Sequence, residues 1–214
     1  VNVKSKYTVP VGIDLGVFMM QPRLNTSERT IGVVSRLSKE KNVSYALDLA
    51  EKMDDFKFVI IGDGPERATL ESSCSRRGVD NVSFLGYIRD VSSHYSSFDG
   101  LLVPSTCSEG TPISILEAMA CQIPVFSSTY GGISSILTDR VNGFSLSMNP
   151  DKDCSLIRDN IGNKDVVNNA LEYVTGNHDI RVTSSIFSSI LLNSGSFHKG
   201  SRTPGSFLLG GYYA

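Results

Sequence analysis

The chain lacks the features that mark several large classes of protein. No apolar run approaches the roughly 20 residues that cross a bilayer. Lys and Arg number 20 against 22 Asp and Glu, a net charge of −2, so the basic field of a nucleic-acid binder is missing. Four cysteines (Cys74, Cys107, Cys121 and Cys154) show no C-x-x-C spacing and no histidine cluster nearby. That excludes a zinc-finger pattern and points to free thiols in a reducing, cytoplasmic compartment. The histidines, His94, His178 and His198, stand apart from candidate metal ligands. No Asp-x-Asp lies at a strand end, and Asp54-Asp55 precedes a strand as a solvated turn. The Gly62-Asp63-Gly64-Pro65 turn lacks the third glycine of G-x-G-x-x-G, so it is weak evidence for a dinucleotide cofactor. The opening residues carry no signal-peptide pattern, and the chain does not begin with Met.

What is present centres on residues 108–120. Glu117 is surrounded by Ile113, Ile115, Leu116, Ala118, Met119 and Ala120, so nearly every face of this helical run reads as buried. A buried carboxylate is costly without a partner. Either a protein donor satisfies Glu117 or a polar ligand reaches it. Upstream, Glu109 sits in a Ser-Glu-Gly-Thr-Pro loop whose Pro112 reads as a first-turn proline. The helix therefore starts between the two glutamates, with its free N–H groups and positive dipole end facing the loop, a geometry that receives phosphate.

Apolar, β-rich runs alternate with helical patterns along the rest of the chain. Strands are expected at 30–35, 56–61, 82–85, 100–103 and 124–127, short and continuous as buried parallel strands are. Val43, Ala46, Leu47 and Ala50 recur at i, i+3, i+4, i+7, an amphipathic helix. Pro65 opens a second helix that stops at Arg76-Arg77-Gly78. A short helix is expected near 91–97, and another at 165–173 with Val166, Val167, Ala170, Leu171 and Val174 on its apolar face. Such alternation gives right-handed crossovers and a doubly wound parallel sheet, with ligands at the C-terminal strand edge. After about Pro150 the pattern degrades, and the Gly- and Ser-rich end reads as disordered.

Glu109 and Glu117, followed by Ala-Met-Ala, resemble the E-x7-E signature of retaining glycosyltransferases with the two-Rossmann-domain (GT-B) architecture, the glycosyl transferases group 1 family. Six further blocks occur in that family's order over about residues 8–150. They are Val9-Pro10-Val11-Gly12-Ile13-Asp14, Ser35 to Lys41, Ile61-Gly62-Asp63-Gly64-Pro65, Phe84-Leu85-Gly86, Val103-Pro104-Ser105 and Asn142-Gly143-Phe144. The resemblance implies a Rossmann-like donor-binding domain over 15–175, the C-terminal half of a GT-B enzyme. It also implies an interdomain linker at 1–14, a divergent and disordered tail at 176–214, and an acceptor-binding domain that is missing. Membrane contact is then expected only through that missing domain, and the acceptor stays unidentified.

The same resemblance assigns roles to residues. Arg36 and Lys41 would hold the diphosphate of a uridine- or guanosine-linked sugar donor and stabilise it as it leaves, without a metal or other cofactor. Glu109 would bind hydroxyls of the donor sugar and lend negative charge near an oxocarbenium-like transition state. Glu117 would accept hydrogen bonds from the ribose hydroxyls. Gly110, Thr111 and Pro112 would line the sugar pocket, and Ile113 and Ser114 would offer N–H groups to phosphate. Gly62 would make a tight turn beside the nucleotide. Gly86, Tyr87 and Ile88 would contact the base, although Tyr87 reads equally well as a surface aromatic. Two departures stand out. Ser134-Ser135 replaces the usual Pro-Glu after Gly131-Gly132-Ile133, and Gln122 stands where a helix-ending glycine is usual. A non-catalytic nucleotide-sugar sensor would keep the same pocket. A Rossmann oxidoreductase would share the fold but not the glutamate pair.

Overall fold

The computed structural model describes residues 7–19, 28–107 and 110–193. The helices are α1 (Leu15–Met19), α2 (Ser44–Ala50), α3 (Arg67–Arg77), α4 (Ser92–Tyr95), α5 (Ile113–Ala120), α6 (Ile133–Ile136), α7 (Pro150–Asn160), α8 (Lys164–His178) and α9 (Ile180–Asn193). The strands are β1 (Arg29–Val34), β2 (Phe56–Ile61), β3 (Val82–Gly86), β4 (Gly100–Val103), β5 (Val125–Ser127) and β6 (Phe144–Ser145), all paired in parallel in the order β3-β2-β1-β4-β5-β6. This is the doubly wound α/β sheet expected from the alternation. The order reverses between β1 and β4, and the C-terminal ends of those strands flank the crevice where such sheets bind ligands.

The central strands feed two cores, because successive side chains point to opposite faces. In β2, Phe56, Phe58 and Ile60 join Leu47, Leu49, Leu70 and Ile157 on one face. Ile61 joins Val103, Leu116, Ile133 and Val174 on the other. Burying one such side chain contributes roughly 1.5–3 kcal/mol. Gly32 in β1 leaves room for the Phe98 ring, since a Cβ there would lie 2.3 Å from ring atoms.

The later part of the chain differs from the sequence expectation. The helix expected at 165–173 extends over Lys164–His178, crossing the boundary placed at 175, and α9 follows where a disordered tail was expected. The chain's first described segment packs here. Ile13 N–H donates to the His178 carbonyl at 2.8 Å, and Ile180 N–H donates to the Ile13 carbonyl at 2.9 Å. Gly12 is tight against α9, because a Cβ would meet Thr183 Oγ1 at 2.2 Å. The remainder of the expected tail, 194–214, and the first six residues of the expected linker lie outside the described residues. α7 also stood in the region read as patternless. Its N-cap is Asn149, whose side chain accepts from Lys152 N–H, with Pro150 just inside the helix. It is moored by the buried Asp153, which accepts from Tyr45 Oη at 2.6 Å and from Ser147 N–H and Oγ–H at 2.9 and 2.8 Å. All four cysteines are free thiols. Among the described residues no helix is long and apolar enough to cross a membrane.

Candidate functional site

A cleft of about 600 Å³ opens at the C-terminal ends of β1, β2 and β4 and is closed by the start of α5. Its near wall is built by two loops zipped together. Ser35 N–H donates to the Ile61 carbonyl at 3.1 Å, Leu37 N–H to the Asp63 carbonyl at 2.9 Å, and Glu66 N–H to the Leu37 carbonyl at 2.9 Å. This pairing sets Arg36 beside Gly62 and Asp63 in the cleft wall. The chain then makes one tight helical turn, Lys39–Lys41, ending on Asn42 in the left-handed region at φ 50°. That turn is tied across to the loop after β4. Thr106 N–H donates to the Glu40 carbonyl at 2.9 Å, and Asn42 Nδ2 donates to the Pro104 carbonyl at 3.3 Å. The segment carrying the cations is thereby held against the loop that leads into α5.

Arg36, exposed, and Lys41, half-buried, both line this cleft. Glu40 lines it too and accepts from Ser38 Oγ at 2.5 Å. That hydrogen bond, with lesser help from its backbone contact and from Arg36 and Lys41, holds the Glu40 carboxyl below its ordinary value. Asp63 is also held low, first by the Gly64 N–H and then by Arg67. This part of the cleft therefore sets Arg36 and Lys41 beside two carboxyls, Glu40 and Asp63, that are both held below their ordinary values.

α5 runs from Ile113 to Ala120 with Pro112 at its N-cap. Proline offers no side-chain acceptor, so the first amides of the helix are not capped by their own N-cap residue. Thr111, Pro112, Ile113 and Ser114 form this end of the cleft. Three residues beyond Ser114, Glu117 faces the same cleft and is only 3% exposed. The question of its partner has a protein answer in part, because Tyr95 Oη donates to Glu117 Oε2 at 2.7 Å. Tyr95 is itself fully buried. On the side of β2 and β3, Gly62, Tyr87 and Ile88 line the cleft, with Tyr87 58% exposed.

Ten of the expected residues therefore converge: Arg36, Lys41, Gly62, Tyr87, Ile88, Thr111, Pro112, Ile113, Ser114 and Glu117. Gly86 and Gly110 do not join them. Gly86 is buried at φ +74° and its carbonyl accepts the Gly62 N–H at 2.8 Å, so that atom is committed to the fold. Gly110 is exposed ahead of Thr111. Glu109 lies outside the described residues. Several lining residues were not singled out: Ser35, Glu40, Asp63, Val91, Pro104 and Ser105. All but Val91 sit inside blocks that were quoted, so the signal was present. Ser35 is the least settled of these, its Oγ being buried without a hydrogen-bond partner among the described residues. Tyr95 had no sequence signal, because its partner lies in another element.

The site where Ser134 and Ser135 replace Pro-Glu is self-contained. Their hydroxyls donate back to the carbonyls of Gly131 and Gly132 at 2.7 and 2.6 Å.

A model of the glycosyl transferases group 1 family matches residues 18–158. An uncharacterized glycosyltransferase of Methanocaldococcus jannaschii is 36% identical over 131 residues, 58% of this chain and 33% of that protein. A 2-deoxystreptamine glucosyltransferase of Streptomyces kanamyceticus is 34% identical over 110 residues, 48% of this chain and 28% of that protein. The chain thus spans about a third of the length of these curated relatives. A crystal structure of Anabaena HepE in complex with UDP and glucose has a similar fold, with a TM-score of 0.77 at 22% identity over 86% of this chain and 56% of that one.

Proposed function

Because the chain belongs to the glycosyl transferases group 1 family, with the Rossmann-like domain of GT-B enzymes, we propose that it binds the nucleoside-diphosphate sugar donor of a retaining glycosyltransferase. The observation that carries this reading is the meeting, in one cleft, of Arg36, Lys41, the N-terminal turn of α5 and the buried Glu117. A donor of this class has a diphosphate, a ribose diol and a sugar in a row. Two cations and uncapped helix amides suit the diphosphate. An acceptor-only carboxylate suits the diol. Gly62, Tyr87 and Ile88 then flank the base, and Glu109 takes sugar hydroxyls. The base is uridine or guanosine, with uridine the first to test since the HepE structure holds UDP.

In transfer, the bond from the anomeric carbon to the β-phosphate oxygen breaks, and its electron pair stays on that oxygen. Arg36 and Lys41 stabilise the charge as it develops, in fixed positions that need no reorganisation. These cations take the place a metal ion holds in other phosphoryl-leaving reactions, so the pocket works without one. The acceptor hydroxyl attacks from the same face and gives its proton to the departing phosphate, which retains configuration. The acceptor and the rest of the catalytic wall belong to a second domain that closes over the donor and excludes water. By itself the 214-residue chain binds donor without transferring sugar to an acceptor.

The test is transfer by the chain together with an acceptor-binding domain, with the anomeric configuration of the product read by NMR. Retention supports the mechanism, and inversion refutes it. Transfer to a defined acceptor by the 214-residue chain alone would show that no second domain is needed.

A further inference from the structure

The hydrogen bond from Tyr95 Oη to Glu117 Oε2, 2.7 Å long, joins two side chains that are 0% and 3% exposed. This is a well-formed hydroxyl-to-carboxyl hydrogen bond, shielded from competing water. The phenol has little freedom of its own. Its ring meets Phe98 edge-on with centroids 5.8 Å apart and Phe18 edge-on at 6.0 Å. Phe98 is itself fixed in the space left by Gly32 on β1. A rigid chain of contacts therefore runs from the central strand through two aromatic rings to one oxygen of the carboxylate that lines the cleft.

Resting on the nucleotide-sugar reading above, we propose that Tyr95 is a positioning residue for ribose recognition, fixing the plane of the Glu117 carboxylate so that it accepts the two hydroxyls of a ribose and selects ribonucleotides over deoxyribonucleotides. A carboxylate accepts through about four lone-pair directions. The Tyr95 O–H takes one of them on Oε2 and sets the torsion that directs the others. A freely turning carboxylate would lose rotamer entropy on binding and would pair one hydroxyl as readily as two. Tyr95 removes that freedom before the ligand arrives.

The experiment titrates UDP and 2′-deoxy-UDP, and GDP and 2′-deoxy-GDP, into the wild-type chain and into Tyr95→Phe, Glu117→Gln and the double variant. The readout is the ribose-over-deoxyribose affinity ratio, which a loss of general stability does not move. Wild type is expected to prefer the ribonucleotide by roughly tenfold or more, the size of one hydrogen bond to a charged group. Tyr95→Phe should lower that ratio by about fivefold, and the double variant should lower it no further than Glu117→Gln alone. An unchanged ratio in Tyr95→Phe, or additive effects in the double variant, overturns the assignment while leaving the nucleotide-sugar reading intact. Binding of none of the four nucleotides to wild type overturns both. If Tyr95→Phe does not fold, Phe98→Leu carries the test, because it keeps the phenol and removes the ring that holds it. The ratio should fall there as well, and a wild-type ratio in Phe98→Leu overturns the proposal.

Discussion

Gly62 and Ser35 approach so closely that a Cβ on Gly62 would lie 1.8 Å from the Ser35 carbonyl oxygen. Gly62 also holds φ at +138°, a backbone region that side chains rarely adopt. The two loops that form the near wall of the cleft can zip together only because this position has no side chain. Gly62→Ala should therefore destabilise the domain by about 2–4 kcal/mol and abolish nucleotide binding. Thermal unfolding and titration of the variant check both; a wild-type melting temperature would contradict the packing account.

The cation pair gives a second prediction. Arg36→Ala and Lys41→Ala should each weaken binding of a nucleoside diphosphate roughly 10- to 100-fold, as expected for a lost hydrogen bond to a charged group. Binding of the nucleoside should change little. Turnover of an assembled enzyme should fall by orders of magnitude, because the leaving group would depart without its counter-charge. Parallel titrations with nucleoside and nucleoside diphosphate separate this from a general loss of fold.

Glu40 places a negative charge in the field of both cations, so Glu40→Gln should tighten diphosphate binding a few-fold at low salt. The gain should fade as salt rises, because the group is exposed. The pH sense follows from its lowered pKa. A carboxyl lowered in the folded state adds stability above its unfolded pKa and loses it as pH falls through the folded value. The Ser38–Glu40 tie should thus persist at neutral pH and dissolve only below the ordinary carboxylate range. A wild-type stability curve against pH, set beside that of Glu40→Gln, reads this directly: the two should converge at low pH.

The sheet and the glutamate helix were legible in the sequence because buried parallel strands are short continuous apolar runs. The range 56–61 was recovered whole as Phe56–Ile61. Of the later helices, α8 was read in its core, 165–173, but α7 and α9 were not. In α9, Thr183, Ser184, Ser185, Ser188 and Ser189 interrupt the apolar residues, and the helix is held by contacts with Gly12 and Ile13 from the far end of the chain, which no local pattern reveals. α7 carried a local signal in Asn149-Pro150, an N-cap followed by a first-turn proline, outweighed by its polar composition. For the site, ten of the expected residues line the cleft, while Ser35, Glu40, Asp63, Pro104 and Ser105 were passed over within their own blocks and Tyr95 was not singled out at all. A partner across the core leaves no spacing rule to read.

Gln122 offers a stability test apart from the site. It sits at φ 57° after α5, its N–H donating to the Met119 carbonyl at 3.2 Å while Ile123 N–H donates to the Ala118 carbonyl at 2.9 Å. That pair of bonds closes the helix in the motif that favours glycine. Gln122→Gly should stabilise the domain by about 1 kcal/mol, relieving the left-handed penalty of a side chain. Chemical denaturation measures it, and a loss of stability would show that the Gln122 side chain makes up for its strain.

The central claim is that this cleft binds a nucleoside-diphosphate sugar through Glu117 and without a metal. Calorimetric titration of the wild-type chain and of Glu117→Gln with UDP, GDP and their sugar conjugates, in EDTA, tests it most directly. The account predicts saturable binding of at least one nucleotide to wild type, weakened roughly tenfold or more in Glu117→Gln as a charge-assisted bond to the ribose is lost. Binding that appears only with a divalent cation, or unchanged affinity in a Glu117→Gln variant that unfolds more easily, would contradict it.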